Sequence, residues 1–276
     1  MNLQSKKTLS NGVEMPVLGL GVYKMTDPDE TFQAISTVLN IGYRHIDTAS
    51  LYGNEEQVGE AIRNSSIPRE DIFVTTKVWN TDQGFDETLR AFEVSLKKLN
   101  MDYIDLYLTH WPVEDKFEET YRAIERLYEE KLIRVPGVSN HHEHHLDRLL
   151  AKANVAPMVN QVEIHPYLSQ VPLKKYCAQH NIAVTAWSPL GRGQILENSS
   201  IIEIANAYGK TAAQIILRWH LQNDTIIIPK SVTPSRIKEN ADVFDFTLSQ
   251  EHMLAIDNLN ENKRIGQNPD NFHFDF

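Results

Sequence analysis

The stretch IDLYLTH, residues 104–110, decides how the chain folds. Ile104, Leu106 and Leu108 stand at every second position, and His110 continues the same series. Side chains on a strand alternate faces, so this run reads as a β-strand whose apolar face ends in an imidazole. Runs of similar build recur on both sides of it. They lie at Val17–Val22, Tyr43–Asp47, Ile72–Lys77, Ile133–Ser139, Met158–Val162, Ile182–Trp187 and Thr225–Ile228. Most reach a polar or aromatic group at their carboxyl end: Asp47, Lys77, Ser139 with Asn140, Gln161, Trp187 and Lys230. Gln161 shares a face with Val159, and Lys230 with Ile228 and Ile226.

Longer amphipathic segments separate these runs. They are Asp29–Asn40, Glu55–Arg63, Phe85–Leu99, Phe117–Glu130, His142–Ala151, Val171–His180, Thr211–Leu221 and Pro234–Ala241. Asp27-Pro28 suits the first as cap and opening turn, and Thr211 suits the seventh. Eight runs alternating with eight helices predict a closed (β/α)8 barrel, a TIM barrel, as one domain over residues 1–276. Ahead of it, TLSNGVEMPVL reads as a short β-hairpin turning at Asn11-Gly12. An open doubly wound sheet needs GxGxxG after its first strand. Gly19-Leu20-Gly21 lacks the third glycine, and Gly191-Arg192-Gly193 is equally incomplete.

The net charge of −10, with acids spread along the chain, argues against nucleic acid or an anionic membrane as partner. No run approaches the length of apolar sequence that spans a bilayer, and the amino-terminal residues lack the apolar core of a signal peptide. A soluble cytoplasmic monomer is expected. The single cysteine, Cys177, excludes an internal disulfide and reads as a small apolar helix residue.

If the strands are parallel neighbours, their polar ends converge on one rim, where barrel active sites sit. Asp47, Tyr52, Lys77 and His110 then share a cavity. A phenol is too weak an acid for easy proton donation at neutral pH. A nearby ammonium lowers its pKa, and a carboxylate keeps that ammonium charged and in place. His110 supplies a further hydrogen bond. The plain alternative is a buried Asp47–Lys77 ion pair beside a core histidine. It accounts for any one of these residues but not for all four at matching strand ends.

Lys230, Ser231 and Arg236 lie around the start of the last helix, a setting that suits phosphate. As isolated residues they read equally well as exposed basic groups. Trp187 offers a flat face for a heteroaromatic ring, or simply packs in the core. His45 reads as a barrel-core histidine. The run HHEHH at 141–145 is not HExxH, and His141 and His145 at i, i+4 suit at most adventitious surface metal. No functional metal is expected.

Three stretches carry a resemblance over nearly the whole chain. GYRHIDTASLYGNEEQVG (42–59), MDYIDLYLTHWP (101–112) and IPKSVTPSRIKEN (228–240) resemble the signatures of the aldo-keto reductase family. The chain looks most like its small bacterial branch, related to 2,5-diketo-D-gluconate and glyoxal reductases. The resemblance implies a (β/α)8 barrel and a catalytic tetrad of Asp47, Tyr52, Lys77 and His110. It implies that Ser139, Asn140, Gln161 and Trp187 hold the nicotinamide end of the cofactor, and that Ser188 and Leu190 line the pyrophosphate. Lys230, Ser231, Arg236, Glu239 and Asn240 should hold the 2′-phosphate and adenine, which implies NADPH.

Pro136 departs from the family pattern, where an aliphatic residue usually precedes GVSN. A local break in the fifth strand is expected there. The short tail RIGQNPDNFHFDF predicts an open pocket and broad selectivity, with Tyr23, Trp79, Trp111 and the tail around it. The reading is an NADPH-dependent oxidoreductase that reduces aldehydes and ketones, small reactive carbonyls such as methylglyoxal among them, with Tyr52 as general acid. The alternative is a barrel that binds the nucleotide for regulation and turns over negligibly. A glycosidase needs paired carboxylates at strand ends, and Glu163 has no evident partner.

Overall fold

The computed structural model describes residues 1–271. The chain opens with an antiparallel hairpin, β1 (Lys6–Thr8) and β2 (Glu14–Pro16). Leu9 and Met15 of this hairpin pack against Leu106, Leu108, Val135 and Val159, so it closes the floor of the barrel.

Eight parallel strands follow: β3 (Leu20–Gly21), β4 (His45–Asp47), β5 (Phe73–Val78), β6 (Ile104–Thr109), β7 (Ile133–Ser139), β8 (Val159–Glu163), β9 (Ala183–Trp187) and β10 (Ile226–Ile227). Each pairs with the next in sequence order. The ring closes between its ends by a single parallel bridge, Leu18 to Ile227. There Gly19 N donates to Ile227 O at 2.9 Å and Ile227 N to Val17 O at 3.0 Å. The expected (β/α)8 barrel is present.

The anticipated helices appear as α1 (Pro28–Ile41), α2 (Glu55–Arg63), α3 (Phe85–Leu99), α4 (Phe117–Glu129), α5 (Glu143–Leu150), α6 (Val171–Gln179), α8 (Ala212–Gln222) and α9 (Pro234–Ala241). Asp27 caps α1 through Glu30 N at 2.8 Å, and Thr211 forms a capping box with Gln214 on α8. Two further helices, α7 (Ser199–Tyr208) and α10 (Gln250–Asp257), go beyond the sequence reading.

Strand parity separates two cores. Leu106, Leu108, Val135, Val159, Ala183 and Ile226 fill the barrel, whereas Val74, Tyr107 and Val138 point outward into the helix layer. Ile104 was expected on the inner face, but at the first position of β6 it packs with the outer cluster instead. Each fully buried aliphatic side chain contributes roughly 1.5–3 kcal/mol. His45 is a buried barrel residue, as expected, with Nε2 3.1 Å from Thr75 Oγ1. Gly19 leaves it room, since a Cβ there would lie 2.5 Å from His45 Nδ1. Cys177 is fully buried, and burial pushes its thiol up to about 12.

The expected break at Pro136 is absent. β7 runs through it, with Pro136 opposite Tyr107 and its carbonyl accepting from Met158 N at 3.0 Å. The N–H and C=O of a strand residue point to the same side. The missing donor therefore faces the chain leading into β8, before β8 begins at Val159. The ladder loses no bond there, so the strand tolerates the proline. Among the described residues, no helix is long and apolar enough to cross a membrane.

Candidate active site

A cavity of about 870 Å³ opens at the carboxyl ends of the strands. Asp47, Tyr52 and His110 line it, while Lys77 lies fully buried beneath. β4 and β5 are neighbours in register, and this brings Asp47 and Lys77 together. Lys77 Nζ donates to Asp47 Oδ1 at 2.6 Å, to Thr48 O at 2.8 Å and toward Tyr52 OH at 3.5 Å. Asp47 Oδ2 accepts from Gln161 Nε2 at 2.6 Å. Both carboxylate oxygens are thus bonded, and the ammonium has three acceptors. That is what a buried ion pair needs to hold its place. Burial pulls the Lys77 pKa down, and Asp47 opposes the pull.

The phenol of Tyr52 behaves differently from expectation. Burial pushes its pKa well above the usual value, and Asp47 and Tyr23 push the same way. Lys77 sits at the outer limit of hydrogen bonding to it, with Asp47 closer to the ammonium than the phenol is. Tyr52 is therefore held in its protonated, donor form. Burial, with Lys77 in second place, holds His110 well below the usual histidine value, so the imidazole is neutral. Its ring meets Tyr52 edge-on at 5.7 Å and Trp79 at 5.0 Å. His110 Nδ1 is buried without a partner. Tyr23, Trp79 and Trp111 line the same cavity. The last residues of the tail, 272–276, lie outside the described residues.

The second half of the rim continues the cavity. Ser139, Asn140, Gln161, Trp187, Ser188 and Leu190 line it next, followed by Lys230, Ser231, Arg236, Glu239 and Asn240 beside α9. These groups are tied together. Trp187 Nε1 donates to Asn140 Oδ1 at 2.8 Å, Asn140 Nδ2 to His110 O at 2.9 Å, and Ser139 Oγ to Gln161 O at 2.7 Å. Gln161, expected at the nicotinamide end, also reaches Asp47 and joins the two halves. At the far end, Lys230 and Arg236 are exposed cations beside the start of α9. This donor set fits a phosphate monoester, and the aromatic and amide wall near Tyr52 fits a nicotinamide.

Lys24 and Arg192 also line the cavity and escaped the sequence reading, while Gly266 and Gln267 line it from the tail. Arg192 belongs to the glycine pair set aside as an incomplete phosphate loop. Gly266 lies against the Trp187 ring, where a Cβ would come within 2.4 Å of it. Glu163 Oε1 fastens this segment by accepting from Ile265 N at 2.7 Å and Gly266 N at 3.0 Å. Burial raises the Glu163 pKa, but hydrogen bonds from His165 and these two amides outweigh it, and the group is held low. The i, i+4 pairing of His141 with His145 does not form a ligand pair. His141 is buried and donates from Nδ1 to Ser139 O at 2.9 Å.

Residues 17–261 match the aldo/keto reductase family, and the chain belongs to it. It is 54% identical to the uncharacterized oxidoreductase YtbE of Bacillus subtilis and 51% identical to glyoxal reductase of the same organism, over 99% of each chain in both comparisons. Among solved structures, a variant of Gox0644 in complex with NADPH superposes with a TM-score of 0.94. The match covers 98% of this chain and 99% of that one at 41% identity.

Proposed function

We propose that the protein reduces small reactive aldehydes and ketones, methylglyoxal among them, to alcohols, with NADPH as reductant. The observation that carries this is the Asp47–Lys77–Tyr52 chain, with its phenol end facing the cavity beside His110. The likeness to a glyoxal reductase and to an NADPH complex supports the substrate and the cofactor.

When bound, NADPH supplies the hydride that reaches the carbonyl carbon. Tyr52 gives its proton to the carbonyl oxygen as negative charge develops there. Lys77 remains beside the phenolate left behind and stabilises it, held in position by Asp47 and Thr48. Neutral His110 offers an N–H to the same oxygen and orients the carbonyl. Ser139, Asn140, Gln161 and Trp187 hold the nicotinamide end, Ser188 and Leu190 the pyrophosphate. Lys230, Ser231, Arg236, Glu239 and Asn240 hold the adenosine 2′-phosphate and adenine. We further propose that the chain works as a single-domain cytoplasmic monomer.

The test is NADPH oxidation with methylglyoxal, comparing wild type and Tyr52→Phe. The variant is expected to lose on the order of 10²–10⁴ in kcat while binding NADPH normally. Unchanged turnover in Tyr52→Phe removes Tyr52 as the donor. Tight NADPH binding without turnover of any carbonyl in a broad panel identifies a regulatory barrel instead.

A further inference from the structure

Away from the cavity floor, three imidazoles and a carboxylate gather where α5 meets the tail. His142, at the cap of α5, lies with Nδ1 2.9 Å from Asp270 Oδ1. His144 Nε2 lies 3.3 Å from the same oxygen, and His145 Nε2 lies 3.9 Å from it. One ligand atom from each of the four residues falls within 4.8 Å of the others. In a tetrahedral site with bonds of about 2.0–2.1 Å, ligand atoms stand roughly 3.4 Å apart. The Asp270 distances already bracket that separation. His144 and Asp270 are open to solvent, whereas His142 and His145 are largely enclosed, so the cluster has both a rigid wall and an entrance.

We propose that His142, His144, His145 and Asp270 form a binding site for a borderline divalent cation of the zinc type. Three imidazole nitrogens and one carboxylate oxygen suit Zn²⁺ and its neighbours in the first transition row. Mg²⁺ and Ca²⁺ require oxygen-rich sites. Without metal, hydrogen bonds fix two of the ring tautomers. His142 Nε2 accepts from Arg264 Nη2 at 2.7 Å, so its proton is on Nδ1, facing Asp270. His145 Nδ1 accepts from the His142 amide at 3.1 Å, so its proton is on Nε2. An incoming cation takes these two protonated nitrogens, and each ring moves its proton to the opposite nitrogen. Arg264 must then leave His142, and the His142 amide must leave His145. Arg264 has a carboxylate at hand, Glu163 Oε2 at 3.8 Å. The exchange makes the site weaker than a closed structural zinc centre. The ion joins α5 to the segment that carries Gly266 and Gln267 along the cavity wall, so it fastens the tail to the barrel.

The test uses untagged full-length chain, stripped with chelator and titrated with Zn²⁺ against a chromophoric competitor. Wild type is expected to bind one equivalent, and Co²⁺ in its place to give the intense visible bands of a four-coordinate site. His144→Ala and Asp270→Asn should each weaken binding at least tenfold, and His180→Ala, a surface imidazole elsewhere, should leave it unchanged. His144 is exposed, so its removal spares the fold, which circular dichroism checks. No binding by wild type, or equal binding by wild type and the His144→Ala and Asp270→Asn variants, overturns the proposal.

Discussion

Gln161 donates to Asp47 across the barrel mouth, from β8 to β4, at 2.6 Å. It occupies the carboxylate oxygen that Lys77 leaves open. A residue expected to serve the cofactor thus also completes the buried ion pair under Tyr52.

Replacing Gln161 with Leu strips a buried carboxylate oxygen of its donor. The expected cost is about 1–3 kcal/mol of folding stability, read by urea denaturation. NADPH affinity should fall in the same variant, read by fluorescence titration. A loss of affinity with unchanged stability would show that the Asp47 contact carries no weight.

Acid should destabilise the barrel through His45. Burial, opposed by Asp47 and reinforced by Lys77, lowers its pKa from 6.5 to about 4. As pH falls, the unfolded chain therefore takes up a proton first. This contribution is complete above pH 6.5 and drains away as pH drops toward 4, then levels off. The total is about 3 kcal/mol, from the size of the shift. Unfolding free energies at several pH values, with His45→Asn beside wild type, should show a shallower slope in the variant. Parallel curves would dismiss His45 as the source.

Gly266→Ala places a methyl group against the Trp187 ring, at a nominal 2.4 Å from its edge. Either the ring or the tail must shift. Overpacking of this kind costs about 1–3 kcal/mol, so NADPH binding should weaken by about tenfold. Wild-type affinity in this variant would mean that the tail yields without disturbing the tryptophan.

Pro136→Val should change little, because no ladder bond depends on that position. We expect a stability change below about 1 kcal/mol, arising from the freer unfolded chain, and the same Kd for NADPH. A large gain in either would show that the proline does strain β7.

The strands were legible because most of the runs end in a distinctive polar or aromatic residue, as IDLYLTH, with its period of two, does in His110. Parity put Asp47, Lys77 and His110 at one rim, whereas Tyr52 follows Asp47 outside the strand, and the four as a tetrad are what the family resemblance implies. Pro136 misled because a proline's effect on a sheet depends on what stands opposite its nitrogen, which the local sequence does not record. Helix α10 buries only Ile256, too little to print an amphipathic stripe. Helix α7 is an addition that the strand–helix alternation does not call for. The contacts that Gly266 makes from within the tail were out of reach for another reason. Its role comes from Trp187 and Glu163, about 80 to 100 positions earlier in the chain, and no local pattern announces such a contact. Tyr52 lines the cavity, but its raised pKa follows from enclosure, which spacing does not report.

The closure of the barrel deserves a mechanical reading. Most neighbouring strands are stitched by several paired residues, whereas the first and last meet at one bridge, Leu18 to Ile227. A ring under thermal agitation parts where it has fewest stitches. Hydrogen exchange should find the amides of Gly19 and Ile227 among the first of the strand amides to open. The Lys230 and Ser231 end of the cavity lies just beyond that join. A dinucleotide gripped there would act as a clasp, and the folded lifetime of the enzyme would be set partly by how full its cofactor site is.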